Sequence, residues 1–491
     1  MTSSVTRRSF LKTTALGAGA AAGARLFCAP SILAEASERA RLRVAIIGSG
    51  GRGASYFDTV AAAERIVALV DVDEKRLNDP LKSSKKKTGS GPDLSGAKRF
   101  IDYRKMFDQM GKEIDAVMVA TPNHHHAPAS LMAMQLGKHV YCEKPLCHDI
   151  SQVRRMAEFA AKYKVATQMG NQGHSCEGMR RLCEYIWAGA IGNVTTVYAW
   201  TNRANGGVGP RPAATPPPDG LHWEEWIGPA PYRDYHPDSI IKTQDGEDKV
   251  IGLHPHEWHN WHDFGNGSLG NMGCHVMDGA YWSLKLGQPT CVEVEDMIGG
   301  SDERYPVGTR IRWDFPARGE MPPVKLYWFD GKKKGAKMEL DANDAPGSVK
   351  ASSQNFPPLV EELEKKYKIK LGSDGALYVG DKGIFWSETY CRSVRIIPEE
   401  QHKATPVPPP QIPRIKDSHI GDFLRACRGG EPACSNFGYA ARLTEIVLLG
   451  SLAYIAGPGR KIEWDAEAMK CVSIPELNRW VKCPVRPGWD V

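Results

Sequence analysis

Residues 42–53 read LRVAIIGSGGRG, an apolar run that ends in a glycine-rich turn. The pattern predicts a buried first β-strand followed by a loop that holds a phosphate group. In a Gly-x-Gly-x-x-Gly loop the first glycine makes the tight turn, the second lets the backbone approach a pyrophosphate, and the third lets the next helix pack on the strand. Those positions are Gly48, Gly50 and Gly53, and we include Gly51 and Arg52 in the same cofactor-binding loop. Alone the motif is weak, because glycine turns between a strand and a helix are common.

A second apolar strand pattern covers residues 65–71 and ends in an acid, Asp71, 23 residues after Gly48. A carboxylate at this place accepts hydrogen bonds from the ribose hydroxyls of the adenosine half of a dinucleotide and repels a 2′-phosphate. Asp71 therefore favours NAD, and Arg76 nearby leaves NADP as the lesser choice. The alternative is an ordinary acid in a solvent-exposed turn.

Strand and helix patterns then alternate along the chain. Strands are predicted at 114–120, 138–142 and 164–167, and helices at 54–63, 127–136 and 151–163. This alternation predicts a doubly wound parallel sheet, an NAD(P)-binding Rossmann domain over residues 40–168, with a flexible loop at 78–98. Ligands bind at the carboxyl edge of such a sheet. We therefore add to the cofactor site Thr121, Pro122, Asn123, His126, Glu143 and Lys144. The run His124–His126 is interpreted as packing and hydrogen bonding rather than metal binding.

The pattern changes from about residue 170. Strand-like runs at 194–200, 309–315 and 324–329 are separated by long loops. They predict an α+β domain for substrate binding and oligomerisation over 169–491, with a mainly antiparallel, open-faced sheet, so the whole chain is of the α/β class. An open sheet face commonly pairs with a second subunit, and we expect a homo-oligomer. Residues 406–413 have the composition of a proline-rich linker, and helices are predicted at 179–188, 417–428 and 438–455.

The first 34 residues are predicted to be a twin-arginine signal peptide. Arg7 and Arg8 precede the Ala/Gly-rich apolar segment 15–24, and residues 31–34 offer a cleavage site of small residues. The alternative, the basic start of an amphipathic helix, fits poorly with so glycine-rich a segment. No other run approaches the ~20 apolar residues of a membrane span. We expect a protein exported to the periplasm, without stable membrane insertion once the signal is removed.

The net charge and the cysteine spacing restrict the classes of partner and of site that we expect. The net charge of +6 is small for 491 residues, and no aromatic residues are interleaved with the run Lys85–Lys87, so nucleic acid is not an expected partner. The twelve cysteines include no Cys-x-x-Cys pair, which disfavours a zinc ribbon or a thioredoxin-like site. We expect mostly buried free thiols, with a disulfide between Cys427 and Cys434 left open.

Four segments together resemble the Gfo/Idh/MocA superfamily of sugar and polyol oxidoreductases. They are the glycine loop, Ala120–His124 (ATPNH), Glu143–Leu146 (EKPL) and Gly270–Asp278 (GNMGCHVMD). The resemblance covers most of the chain from Leu42 onward. Together with the signal peptide it is similar to the secreted members of the superfamily, which include glucose-fructose oxidoreductase and NAD-dependent glycosidases.

The resemblance implies that Lys144 reaches the substrate hydroxyl beside the nicotinamide. A cation there stabilises the alkoxide that forms as hydride leaves. His275 matches the histidine that acts as acid or base. Asn271 stands where the family usually has an aspartate; it can orient a hydroxyl but cannot ionise, which puts the full proton relay in doubt. We expect Lys144, His275 and Asn271 to be the catalytic residues.

Residues 253–262, LHPHEWHNWH, form the densest His/Trp cluster in the sequence. The spacing is not the His-Glu-x-x-His that places two ligands one helical turn apart, so no metal site is expected. We interpret the cluster as the lining of a carbohydrate pocket, since tryptophan faces pack on sugar rings. The candidate substrate residues are Arg203, His256, Trp258, His259 and Trp261; Trp223 and Trp226 fit core packing equally well.

These observations predict a nicotinamide-dependent oxidoreductase that acts on a hydroxyl of a small carbohydrate, a sugar, glycoside or polyol. Little free NAD is available outside the cytoplasm, so we expect a tightly bound cofactor that is regenerated within the site. One alternative is a redox-neutral NAD-dependent glycosidase, in which oxidation, elimination, hydration and reduction follow one another. Another is a non-catalytic sugar-binding protein on the same fold, a reading motivated by Asn271.

Overall fold

A computed structural model describes residues 41–81, 91–242, 248–341 and 343–491 of the chain. The predicted signal peptide and the run Lys85–Lys87 lie outside the described residues.

The first sheet is parallel and has six strands in the order β3-β2-β1-β4-β5-β6. The strands are β1 (Arg43–Ile47), β2 (Arg65–Val70), β3 (Lys98–Phe100), β4 (Ala116–Val119), β5 (His139–Cys142) and β6 (Thr167–Met169). The helices of this region are α1 (Phe57–Ala63), α2 (Glu74–Asn78), α3 (Tyr103–Met110), α4 (Asn123–Gln135) and α5 (Ile150–Tyr163). The order of strands reverses at β1, and ligands of doubly wound sheets bind at that switch point. Val44–Ile47 are buried on both faces, as a continuous apolar run in a parallel sheet predicts.

Several local predictions differ from the structure, among them the helix expected at 127–136, which is α4 and begins at Asn123. The helix expected at 54–63 begins as a 3-10 turn, Gly53–Tyr56, before α1. The strand expected at 164–167 is displaced to β6, because Lys164 ends α5 with a left-handed φ of 51°. The loop predicted at 78–98 overlaps two observed elements by one residue each: α2 ends at Asn78, and the short strand β3 begins at Lys98.

The second sheet has nine strands in the order β15-β14-β13-β7-β12-β11-β10-β16-β17. Its strands are β7 (Val194–Thr201), β10 (Cys291–Gly299), β11 (Pro306–Phe315), β12 (Val324–Gly331), β13 (Gly375–Gly380), β14 (Ile384–Glu388), β15 (Val394–Ile397), β16 (Ile462–Asp465) and β17 (Lys470–Cys471); β8 (Pro237–Lys242) and β9 (Asp248–Gly252) form a separate hairpin. Neighbouring strands are antiparallel except for β7 and β12. The predicted fold class, a Rossmann sheet with a mainly antiparallel second sheet, is confirmed. The boundary between residues 168 and 169 stays a prediction.

The remaining helices are α6 (Glu177–Trp187), α7 (Trp223–Ile227), α8 (Gly267–Val276), α9 (Asp278–Ser283), α10 (Pro358–Tyr367), α11 (Glu399–Ala404), α12 (His419–Cys427), α13 (Phe437–Ala456) and α14 (Asn478–Val481), with 3-10 turns at Gln172–Ser175, Glu257–Asn260 and Pro475–Leu477. One face of the second sheet packs on α13, where Trp313 Nε1 donates to the Ile446 carbonyl at 3.1 Å. The opposite face is covered by α10 near Trp200 and is open over β10, β11, β12 and β7.

Helix α13 joins the two sheets. Its Glu445 pairs with Arg154 of α5 at 2.7 Å, and its small residue Gly450 lies where a Cβ atom would be 2.5 Å from the Trp313 ring. The expectation that no run outside the signal peptide approaches a membrane span is wrong: among the described residues this helix alone is long and apolar enough to cross a membrane by length and composition, but 83% of its most apolar window is buried inside the protein. It is therefore built as a core helix.

The proline-rich segment 406–413 is extended and fixed along α6. Gln411 N donates to Glu184 Oε1 at 2.8 Å, and Arg180 Nε donates to the Pro413 carbonyl at 2.9 Å. The segment therefore connects the second sheet to α12 as an extended segment bound to α6, and not as a flexible linker.

Candidate active site

A cavity of about 760 Å³ lies at the carboxyl edge of the parallel sheet, between that sheet and the second domain. Its walls include most of the residues predicted for the site: Gly48, Gly50, Gly51, Arg52, Asp71, Thr121, Pro122, Asn123, His126, Glu143, Lys144, Arg203, His256, Trp258, His259, Asn271 and His275. The fold thus brings together residues that are more than 220 positions apart in the sequence, such as Gly48 and His275. Gly53 and Trp261 are the predicted site residues that do not line it.

The glycine loop is built for close backbone approach. Gly48 has a φ of +80°, and a Cβ there would lie 2.6 Å from the Ala120 carbonyl oxygen. A Cβ on Gly53 would lie 2.0 Å from the Gly48 carbonyl oxygen, so Gly53 serves packing of the turn and not the cavity wall. Any other residue at either position would displace the loop from the strand end.

Asp71 anchors the loop at the end of β2. Its carboxylate accepts hydrogen bonds from Gly50 N at 2.8 Å and from Asp73 N at 3.1 Å. Burial raises the pKa of Asp71, and the Gly50 amide opposes this effect. Arg76 packs over Gly50, whose added Cβ would be 2.9 Å from Arg76 Cδ. Both groups predicted to select between NAD and NADP therefore stand at the same end of the cavity.

Lys144 follows the buried strand β5 and reaches across to α8 in the second domain. Its Nζ donates to the carbonyl oxygen of Asn271 at 2.9 Å and to Asn271 Oδ1 at 3.1 Å. Asn271 Nδ2 in turn donates to Asn205 Oδ1 at 2.9 Å. Burial lowers the pKa of Lys144, although the neighbouring Glu143 carboxylate opposes it. The amine is thus oriented by neutral oxygen atoms.

Glu143 is the hub of a buried charge network. Arg52 Nε donates to its carboxylate at 2.9 Å, Gln172 Nε2 donates at 3.2 Å, and the Tyr56 hydroxyl donates a short hydrogen bond. Burial alone would raise the pKa of Glu143, but the charge of Arg52 and its other partners lower it to about 2. Glu143 is therefore a permanent anion that holds Arg52 beside the glycine loop.

His275 lies one helical turn after Asn271 on α8, so both side chains project from the same face. Its Nδ1 is buried and has no hydrogen-bond partner among the described residues. Burial lowers the pKa of His275 well below its usual value, and the charge of Lys144 lowers it further. The imidazole is therefore neutral at neutral pH and able to accept a proton.

The predicted substrate residues in the cavity wall come from two parts of the chain. Arg203 follows β7, and His256, Trp258 and His259 belong to the His/Trp cluster. Arg203 lines the cavity and is held by Asp344 at 3.3 Å. His259 stacks on Trp258 with ring centroids 3.6 Å apart, and its Nδ1 lies 2.8 Å from the His256 carbonyl oxygen. If Nδ1 donates that bond, Nε2 of His259 is left as an acceptor; burial also lowers the pKa of this ring.

Trp261 corrects one of the sequence predictions. Its ring is fully buried away from the cavity, its Nε1 donates to Asp238 Oδ1 at 2.8 Å, and the guanidinium of Arg304 lies 4.6 Å from its ring centroid. Trp261 is a core residue. Both partners of a buried ion pair, Arg304 and Asp238 at 3.1 Å, contact its side chain. Trp226, by contrast, lines the cavity.

The histidine run at the start of α4 lies against backbone carbonyl oxygens, and His125 and His126 also line the cavity. Nε2 atoms of His124 and His125 lie 3.0 and 2.9 Å from the Trp226 carbonyl oxygen. The ring of His126 lies 2.7 Å from the Pro145 carbonyl and 2.9 Å from the Thr121 carbonyl, so it ties two strand ends together. Within the described ranges, no group of three His, Cys, Asp or Glu side chains is placed to hold a metal.

Several residues of the cavity wall carried no signal in the sequence. They are Tyr103, Gln172, Tyr390 and Trp489, contributed by separate parts of the chain. Tyr56 and Asn205 also carried no signal; they do not line the cavity but form hydrogen bonds with Glu143 and Asn271, which do. Tyr390 comes from the turn between β14 and β15 and meets the ring of His275 edge-on, with centroids 4.9 Å apart. Each of these residues is a single aromatic or amide residue outside any motif, so its place in the sequence does not distinguish it from a residue of the core.

The eleven cysteines of the described residues are all free thiols. This includes Cys427 and Cys434, the pair for which a disulfide was left open. Their thiols are buried or half-buried, and burial raises the pKa of Cys434 to about 12.

Residues 42–171 match the sequence model of the GFO_IDH_MocA family, described as an oxidoreductase family with an NAD-binding Rossmann fold. Among curated proteins, the chain is similar to an inositol 2-dehydrogenase of Rubrobacter xylanophilus, at 27% identity over 34% of this chain and 45% of that protein. It is also similar to the rhizopine catabolism protein MocA of Rhizobium meliloti, at 28% identity over 32% and 46% of the two chains. The alignments thus span less than half the length of these relatives.

Solved structures share the fold over most of the chain. The WlbA dehydrogenase of Bordetella pertussis, in complex with NADH and UDP-GlcNAcA, has a TM-score of 0.53 at 14% identity and covers 87% of this chain and 99% of its own. An inositol dehydrogenase homologue of Azotobacter vinelandii, complexed with NADH and myo-inositol, has a TM-score of 0.52 at 14% identity and covers 86% and 98%. Residues 42–171 therefore match an oxidoreductase family with an NAD-binding Rossmann fold, and the chain shares its overall fold with these solved structures.

Proposed function

We propose that this protein is a nicotinamide-dependent oxidoreductase that acts on a hydroxyl of a sugar, glycoside or polyol. The observation that carries the proposal is the meeting of Lys144, Asn271 and His275 in the same cavity as the glycine loop and Asp71. The names of the relatives, inositol 2-dehydrogenases, support a polyol or sugar as the class of substrate.

The residues present fit a bound dinucleotide. Gly48 and Gly50 leave no room for a side chain, and the buried atoms Thr121 Oγ1 and Asn123 Oδ1 have no partner among the described residues. The glycine loop, Asp71, Thr121 and Asn123 would hold such a cofactor, with Asp71 favouring NAD over NADP. When bound, the nicotinamide supplies the acceptor or donor of a hydride.

Residues of this chain would transfer the proton of the substrate hydroxyl and stabilise the negative charge on its oxygen. The neutral His275 takes the proton of the hydroxyl as the C–H bond breaks, and returns it in the reverse direction. Lys144 donates a hydrogen bond to the oxygen and stabilises its developing negative charge. Asn271 holds the Lys144 amine in place through two oxygen atoms.

The test begins with the purified protein after extensive dialysis. Denaturing it and identifying the released nucleotide by mass spectrometry should give NAD, near one per chain. Panels of polyols, sugars and glycosides are then added, and absorbance of the reduced nicotinamide is followed. A protein that releases no nucleotide and binds neither NAD nor NADP would contradict the proposal. Aglycone release without net change in absorbance would identify the redox-neutral glycosidase instead.

We further propose that residues 1–34 direct export through the twin-arginine pathway to the periplasm. The support is the sequence of that segment and the expectation of a cofactor loaded before export. Replacing Arg7 and Arg8 by lysine should leave the protein in the cytoplasm when cell fractions are compared by immunoblot. Unchanged export of this variant would argue against the pathway.

A homo-oligomer formed through the open face of the second sheet is also proposed. Half-exposed side chains cross four strands there: Glu293, Arg312, Tyr327 and Tyr198 are neighbours in register, and the two tyrosine rings stack at 5.4 Å. Light scattering coupled to gel filtration measures the mass, and Tyr327→Glu should lower it to that of one chain. A monomeric parent protein would exclude this arrangement.

A further inference from the structure

The order of strands locates the two halves of a dinucleotide in the cavity. Lys144 follows β5, on one side of β1, whereas β2 and β3 lie on the other side. A dinucleotide whose nicotinamide lies at Lys144 therefore places its adenosine at the ends of β2 and β3. This rests on the proposed function.

At that end the wall is not made by the Rossmann domain alone. The cavity is lined there by Asp71, Tyr103, Glu225, Trp226, His254 and Trp489. The last four come from a long segment between β7 and α8 and from the C-terminal tail. We call residues 220–227, His254 and residues 486–489 together the adenosine clasp.

The first part of the clasp is bonded to the turn after β2. Glu74 N donates to the Gly220 carbonyl at 2.9 Å, and His222 N donates to the Val72 carbonyl at 2.9 Å. His222 Nε2 lies 2.8 Å from Glu74 Oε1. His254 Nε2 lies 3.2 Å from Asp73 Oδ2. The segment is thus attached to the Rossmann domain by main chain and side chains.

The C-terminal tail closes the other side. Arg486 donates to Glu224 Oε1 at 2.7 Å and to the Gly228 carbonyl at 2.9 Å, which joins the tail to α7. The guanidinium of Arg104, at the start of α3, lies 3.6 Å from the ring centroid of Trp489 and donates to the Gly488 carbonyl at 3.0 Å. Trp489 itself is only 6% exposed.

We propose that the adenosine clasp covers the adenosine half of the bound dinucleotide and retains it, so that the cofactor leaves only when the clasp opens. The clasp is joined to the Rossmann domain on both sides of the cavity, and these contacts must break before the nucleotide can depart. Such a device acts on the dissociation rate, the step through which most differences in affinity arise.

The experiment measures exchange of the bound nucleotide in the full exported chain. The purified protein is mixed with an excess of isotope-labelled NAD, and the labelled fraction on the protein is followed by mass spectrometry after rapid gel filtration. The variants are Arg486→Ala and Trp489→Ala. The matched control is Arg460→Ala, which removes an arginine that also pairs with a glutamate, Glu476 at 2.7 Å, but away from the cavity.

We expect both clasp variants to exchange nucleotide at least tenfold faster than the parent, and the control to exchange at the parent rate. Glu74→Ala, which removes only the exposed partner of His222, should give at least a threefold increase and covers the case in which Trp489→Ala does not fold. Exchange at the parent rate in the folded variants would overturn the clasp. So would a parent protein that carries nucleotide but exchanges it within seconds, which leaves the proposed function intact. A parent that binds no nucleotide at all would refute the proposed function itself.

Discussion

The two ends of the cavity are built in opposite ways. At the reaction end, the hydrogen bonds that Lys144 Nζ donates within the described residues go to neutral oxygen atoms of Asn271, and His275 Nδ1 has no partner there. At the adenosine end, Asp71 accepts two backbone hydrogen bonds, and Asp73 lies against His254. Buried polar groups are normally satisfied, so an unpartnered one in the wall of the cavity, such as His275 Nδ1, is a candidate contact for a bound ligand. Under the proposed function, this difference assigns the chemistry to the Lys144 end and retention of the cofactor to the Asp71 end.

Removing the amine at the reaction end should have the largest effect. Lys144→Ala is expected to slow hydride transfer about 10³-fold, because removing a group that stabilises a developing oxyanion costs about 10²–10³ in rate. The measurement is the single-turnover absorbance change of the bound nicotinamide, with nucleotide content determined in parallel. Lys138→Ala, at a half-buried residue immediately before β5 that does not line the cavity, is the control. A Lys144→Ala rate within threefold of the parent would refute the assignment.

His275→Gln should slow the same step about 10²-fold, since general base catalysis contributes at least about that much. The pH dependence gives a second readout. Because the pKa of His275 is lowered, the base stays neutral below its ordinary value, and kcat/KM of the parent should begin to fall only below about pH 6.5. In His275→Gln this acid limb should vanish. A profile with the same acid limb in the variant would show that another group is the base.

Asn271→Asp adds a negative charge at the reaction end of the cavity. The new carboxylate would stand near the Lys144 amine, favour the ammonium form and raise its pKa, which burial now lowers. If the ammonium is the active form, the alkaline limb of the kcat/KM profile should move about one unit or more to higher pH, with a change in the maximal rate of less than about tenfold. An alkaline limb that does not move would separate Lys144 from the limiting ionisation.

The smallest effect concerns stability near the adenosine end. Burial lowers the pKa of His125 to about 4. Between about pH 6.5 and about pH 4, this histidine is therefore protonated in the unfolded chain and neutral in the folded chain. Stability from this source is present at higher pH and declines as pH falls from about 6.5 to about 4. His125→Gln removes this penalty: the stability difference between parent and variant should shift in favour of the variant by about 1–2 kcal/mol between pH 7.5 and pH 5. Urea unfolding at the two pH values measures it, and a constant difference would contradict the prediction.

The sequence predicted the parts of the site that depend on local pattern. Gly48, Gly50 and Gly53 were recognisable because a turn after a buried strand leaves no space for a Cβ, and Asp71 because the next strand ends at a fixed distance along the chain. Lys144, Asn271 and His275 entered through the family resemblance, and the fold brings them to one cavity. The Trp261 prediction was wrong because an exposed aromatic of a sugar pocket and a core aromatic look alike in sequence. Its burial is decided by Arg304 and Asp238, which lie on other segments.

From the sequence alone follow the doubly wound parallel sheet that the alternation of strands and helices predicts, the glycine turn, and the identity of the groups able to carry a proton or a charge; the order of the strands comes from the structure. These follow from periodicity and from steric limits within a few residues. Tertiary packing was needed to show that His275 Nδ1 has no hydrogen-bond partner among the described residues, that Tyr390 meets His275, and that Trp489 from the C-terminal tail returns to the end of β3. Those outcomes depend on packing between segments hundreds of residues apart, where burial, and not residue type, sets what each side chain can do.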